Sequence, residues 1–115
     1  MILRAFAVAA LFAFAPLAVP SVAQAADGAA VWKKKCKKCH GDAGKGDSKM
    51  GKKMKVADMT TAEWQKKYDD AAIKKAITEG VDRKDGDTKK KMKGYKDLAA
   101  EEIDALIKLI RSFAS

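Results

Sequence analysis

Both cysteines and the single histidine of this 115-residue chain fall in one pentapeptide, Cys36-Lys37-Lys38-Cys39-His40. No other feature restricts the fold as much. A structural zinc site needs four ligands, usually Cys or His, and the chain has three such residues in all. A thioredoxin-like Cys-x-x-Cys needs a βαβ setting, and no such pattern is present. A disulfide between Cys36 and Cys39 would close only a tiny loop and would leave His40 without a role. Cys-x-x-Cys-His is the attachment pattern of c-type haem. On a helix, residues three apart share a face, so both cysteines can reach the vinyl groups of one porphyrin. His40 follows at once, which lets its imidazole approach the iron from the same side.

Composition supports a fold that lacks part of its own core. Arg4 precedes an unbroken apolar run, Ala5–Ala15, then Pro16, Pro20 and the small-x-small triplet Ala23-Gln24-Ala25. This is the order of a cleaved secretory leader, and the run is shorter than the roughly 20 residues of a bilayer span. Residues 1–25 are therefore expected to be a signal peptide and residues 26–115 one domain working in the periplasm, where haem c is attached. The leader holds 20 of the 55 hydrophobic residues, and many of the other 35 are alanine. A domain this small buries apolar surface inefficiently and often needs a staple; a covalently held porphyrin would supply one. The domain keeps 23 of the 24 basic residues and all 15 acidic ones. Such a surface favours acidic partners or anionic membrane, and export makes nucleic acid a poor partner.

Helical signals dominate and alternating strand patterns are absent. Asp27 is a plausible N-cap for a helix running through the cysteines to Gly41. Residues 41–59, rich in glycine and lysine, read as a loop. Thr60 with Glu63 has the spacing of a capping box for a short helix carrying Trp64. Asp69 or Asp70 caps a third helix with Ile73, Ala76 and Ile77 on one face, ended by Gly80. Residues 81–97 read as polar loop. Ile103, Leu106, Ile107, Ile110 and Phe113 form one apolar stripe on a last helix, about Ala99 to Phe113. Three to five short helices around one haem, with no sheet, is the expected all-α fold.

With His40 used, a second imidazole from the same chain is excluded as sixth ligand. A methionine thioether is the natural alternative in electron-transfer haems, and Met50, Met54, Met59 and Met92 are candidates. Met92 is favoured. It lies in a lysine-rich segment where core packing does not explain it, and 52 residues separate it from His40, enough chain to reach the opposite face. Gly94 permits a tight turn beside it, and Tyr95 could pack on the haem edge or bond a propionate. Arg83 and Arg111, the arginines outside the leader, have no motif around them.

Over most of residues 27–114 the chain resembles the small bacterial monohaem class I cytochromes c. The likeness rests on Trp32 four residues before Cys36, the Cys36–His40 motif, and Gly41-Asp42-Ala43-Gly44-Lys45-Gly46. The Met92-Lys93-Gly94-Tyr95 segment and the terminal amphipathic helix extend it. The resemblance implies crossing N- and C-terminal helices, with Val31 and Trp32 against residues such as Ile107 and Ile110. It implies His40 and Met92 on opposite sides of the iron, and a pocket wall from Trp64, Ile73, Ile77 and Leu98, with Met54 as packing. Two family prolines are replaced here: Lys52 stands where a proline carbonyl often orients the haem histidine, and Lys93 follows Met92 directly.

Two functions fit these residues. A six-coordinate haem without a substrate position suits a one-electron carrier that is not an enzyme. Its lysines at 33–38, 45–55 and 89–93 would form a basic rim steering it to acidic redox-partner proteins, soluble or membrane-bound. No small-molecule substrate is implied, and without an oligomer signal a monomer is expected. The alternative is a haem sensor, a haem enzyme, or the cytochrome subunit of a larger redox enzyme, with a displaceable sixth ligand. That reading lacks a second histidine to serve as a distal acid or base.

Overall fold

The computed structural model describes residues 26–115; the leader expected at 1–25 and its cleavage site lie outside the described residues. The Ala30 N–H donates to the Asp27 carboxylate at 3.1 Å and starts α1. This helix opens at Gly28–Val31, passes through a π-helical stretch at Trp32–Cys36 and resumes at Lys37–His40. In the wider turn the Lys37 N–H reaches back to the Trp32 carbonyl. Trp32 and Cys36 are buried at its two ends while Lys33, Lys34 and Lys35 face solvent. Such π turns occur often at functional sites. Gly41 stops the helix at φ 79°, a left-handed conformation that favours glycine.

The other helices are α2 (Lys49–Met54), α3 (Ala62–Lys67), α4 (Asp70–Glu79) and α5 (Ala100–Ser112). Asp69 caps α4 by accepting from the Ala72 N–H at 2.7 Å, and Ile73 and Ile77 are buried on its inner face. In α5 the stripe of Ile103, Leu106, Ile107 and Ile110 is buried, and the Glu102 carboxylate accepts the Ala99 N–H at 3.0 Å. The frame is helical, as expected.

The first and last helices meet at Gly28, where a Cβ would lie 2.6 Å from the Ala105 carbonyl oxygen, so only glycine allows this approach. Trp32 sets its ring edge-on to Phe113, with centroids 5.0 Å apart. Val31, Trp32, Ile107 and Ile110 belong to one core. Arg111 ties three helices at one corner. Its Nη1 donates to the backbone and side-chain oxygens of Gln65, its Nη2 to the Tyr68 carbonyl and its Nε to Asp70, at 2.7–2.9 Å.

Three local expectations are corrected. The 41–59 segment is not all loop. Ser48 accepts the Gly51 N–H at 3.0 Å and donates its hydroxyl to the Lys38 carbonyl at 2.7 Å, and this cap starts α2 despite the glycine within it. Thr61, not Thr60, caps α3, accepting from the Trp64 N–H at 3.2 Å; the Thr60 hydroxyl instead donates to Asp58 at 2.6 Å. Residues 81–92 form an antiparallel hairpin, β1 (Val81–Asp85) and β2 (Thr88–Met92), with Val81 opposite Met92 and Asp85 opposite Thr88. Its two-residue loop, Gly86-Asp87, has Gly86 at φ 62°, a turn whose twist suits a hairpin. Among the described residues no helix is long and apolar enough to cross a membrane.

Candidate functional site

A cavity of about 490 Å³ lies between α1, the α2–α3 segment, α4 and the hairpin. That volume falls within the usual range for small-molecule and cofactor sites. Its wall is mainly apolar: Trp32, Trp64, Ile73, Ile77, Leu106 and Ile110 contribute to it. Leu98, expected there, is buried in the core and does not line it.

The structure brings Cys36, His40 and Met92 to this one cavity, from α1 and from the end of β2. Cys39 is half-buried and outside the lining. Met54 and Met59 line the cavity as well, and Met50 does not, which reduces four methionine candidates to three. Met59 is buried in the core and Met54 is exposed at the end of α2. Met92 is half-buried.

The chemistry of these residues fits a covalently attached haem. The two cysteines are not joined to each other in a disulfide. Burial pushes the Cys36 thiol up to about 11, against the lowering effect of Lys35. A thiol held protonated is a poor exchange nucleophile, which argues against thiol–disulfide chemistry here. Burial also holds His40 below the ordinary imidazole value. The ring is therefore neutral near pH 7, the form that ligates a metal. The His40 Nδ1 is buried without a hydrogen-bond partner. The Lys52 carbonyl, at the family's proline position, instead accepts the Lys55 N–H at the end of α2. The imidazole is held by packing: the Trp32 ring lies 5.7 Å from it, and the Trp32 indole N–H donates to the Gly41 carbonyl at 2.9 Å.

Tyr95 does not line the cavity. Its hydroxyl donates to the Lys35 carbonyl at 3.0 Å and its N–H to Ile77, so it pins the segment after β2 to α1. Arg83, which carried no signal in the sequence, does line the cavity, as do Asp85 and Lys90 on the same face of the ladder and Lys91 beside them. The Gly86-Asp87 pair was the available clue, because that dipeptide between two five-residue runs marks a hairpin. The hairpin's alternation then places Arg83, Asp85 and Lys90 on the cavity side.

Residues 25–114 match the family described as cytochrome c. Among solved structures, the chain is similar to the KustC0563 c-type cytochrome, with 30% identity and a TM-score of 0.66 over 77% of this chain and 99% of that one. A point mutant of Kustc0563 matches with 31% identity and a TM-score of 0.63, over 76% of this chain and 98% of the other. No curated protein matches.

Proposed function

The chain belongs to the cytochrome c family, and from that premise we propose that it is an exported one-electron carrier whose iron is held between His40 and Met92. The c-type attachment is the Cys36/Cys39 pair of the family motif, and the bound haem supplies a single-electron iron couple. The observation that carries the ligand reading is that Met92, on β2, lines the same cavity as Cys36 and His40, on α1. His40 offers a neutral nitrogen from the end of a helix anchored by the buried Trp32 and Cys36. Met92 offers a soft thioether, which raises the potential relative to a second imidazole. The largely apolar wall limits contact of the iron with water, and with it the solvent rearrangement between oxidation states.

The protein works in the periplasm, after export directed by residues 1–25. Its partners are acidic redox proteins. Among the described residues only Lys37 of the many lysines is in an ion pair, with Asp42 at 3.0 Å. The lysines flanking the attachment helix and β2 are largely exposed, leaving them free to steer a negatively charged partner. The rate of electron exchange with an acidic partner protein is expected to fall steeply with salt. A flat response would remove the docking role.

The ligand test is an absorption spectrum of the oxidised and reduced holoprotein beside a Met92→Ala variant. The parent is expected to be low-spin, with the weak iron–sulfur charge-transfer band, and the variant to lose that band. Survival of the band would move the ligand to Met54 or Met59. A high-spin parent that binds carbon monoxide readily when reduced would favour a sensor or enzyme over a carrier.

A further inference from the structure

The hairpin contacts itself far more than it contacts any helix, yet it closes one side of the cavity. Pairing of Val81 with Met92 and of Arg83 with Lys90 puts these four residues on one face, and all four line the cavity. Arg83 and Lys90 stand directly opposite each other across the ladder. Like charges so placed destabilise a strand pair; besides Asp85 within the hairpin, acceptors outside it offset them. Each cation has one, on a different segment of the cavity wall. Arg83 Nη2 donates to the Tyr68 hydroxyl at 3.1 Å, with the guanidinium 5.8 Å from the Tyr68 ring centroid. Asp85 orients that guanidinium through an ion pair to Nε at 3.3 Å. Tyr68 follows α3 and packs on Trp64, with ring centroids 5.2 Å apart. Lys90 Nζ donates to the carbonyl of Lys55, the residue in left-handed conformation that ends α2.

We propose that Arg83 and Lys90 form a clasp that fastens the hairpin across the cavity mouth, holding Met92 inside and keeping small soluble ligands out. Both are positioning residues. They act through β2, whose last residue is Met92, two positions beyond Lys90 on the same face. The inference rests on the reading of Met92 as ligand. Opening either tether frees one strand to lift, and lifting β2 takes the thioether with it. A neutral hydrogen bond makes a modest net contribution and a charged one a somewhat larger one. The fraction of open molecules is therefore expected to rise about three- to tenfold on losing one tether.

The test is a spectroscopic titration of the oxidised holoprotein with imidazole at neutral pH. The variants are Arg83→Gln, Tyr68→Phe, Lys90→Gln and the Arg83→Gln/Tyr68→Phe pair, with Met92→Ala in parallel. Arg83→Gln and Tyr68→Phe are each expected to bind imidazole about three- to tenfold more tightly than the parent, and the pair no more tightly than either alone. Lys90→Gln should tighten binding independently. If Met92→Ala abolishes the iron–sulfur band but the hairpin variants bind imidazole as the parent does, the clasp is overturned and the ligand stands. If Met92→Ala keeps the band, the ligand reading fails and the clasp fails with it.

Discussion

The cavity wall that carries Cys36 and His40 is a helix packed into the core; the wall that carries Met92 is a hairpin of mostly exposed, charged residues. Around His40 the supports are Trp32, only 4% exposed, its bond to the Gly41 carbonyl, and the contact of α1 with α5. Around Met92 they are a two-strand ladder, the tethers of Arg83 and Lys90, and Tyr95 reaching back to Lys35. One wall is held by burial, which is non-directional and proportional to the apolar area removed from water. The other is held by a few directional polar contacts, each modest. Changes on the first side should cost fold stability. Changes on the second should alter access and ligand exchange while the fold remains.

The largest effect tests whether either wall stands without the cofactor. A Cys36→Ala/Cys39→Ala double variant cannot attach haem covalently. Without haem, the apolar wall of a cavity of about 490 Å³ is left facing water at its open mouth. A domain's whole margin of roughly 5–15 kcal/mol leaves little room for losing the packing partner of that wall. The variant chain, prepared without haem, is expected to be largely unfolded by circular dichroism. A cooperative thermal transition would mean that the helices carry their own core and that the contrast between the walls owes nothing to the porphyrin.

The second test addresses the buried wall alone. Trp32→Ala removes a packed indole, its edge contact with Phe113 and its bond to Gly41. A loss of about 3–5 kcal/mol is expected in denaturant unfolding of the holoprotein. A loss below about 1 kcal/mol, no more than an ordinary surface change, would show that His40 is not held by this packing.

The same division explains what could be read from the residues alone. Buried helices announce themselves through caps and stripes: Asp27, Asp69 and the Ile103–Ile110 stripe pointed to α1, α4 and α5, and the pentapeptide to the cavity they enclose. The hairpin did not, because its cavity face carries Arg83, Asp85 and Lys90 in place of the apolar half of a strand alternation. α2 was hidden by Gly51 and its lysines, since the bond that starts it is a serine cap in a segment otherwise composed like a loop. The Thr60–Thr61 ambiguity is one that spacing alone cannot resolve, because adjacent threonines offer the same hydroxyl one residue apart.

A smaller change sharpens the description of the hairpin. Lys84 stands opposite Lys89 across the ladder, on the face away from the cavity side. Lys84→Glu replaces a like-charge pair with an opposite-charge one, worth roughly 0.2–1 kcal/mol. Amide hydrogen exchange in residues 81–92 should slow at low salt, and the difference should fade as salt screens the pair. Equal exchange in both proteins at low salt would mean that the ladder does not limit opening of this wall.

The smallest effect lies at the turn into α3, between the two walls. The Thr60 hydroxyl and N–H both donate to the Asp58 carboxylate, at 2.6 and 2.8 Å, and hold it below the ordinary carboxylate value of 3.8. A carboxyl depressed on folding contributes stability that is present above the unfolded value and lost as pH falls through the folded one. Asp58 is exposed, so solvent screening keeps the contribution small. Thr60→Val removes the hydroxyl and keeps the N–H. The variant should be slightly less stable than the parent at neutral pH, and the gap should close below pH 3.8 as the carboxyl gains its proton. In an NMR titration the Asp58 carboxyl should move up in the variant, toward 3.8. Equal stability at neutral pH would assign the turn's stability to the Thr60 N–H alone, and a gap that widens on acidification would reverse the sign.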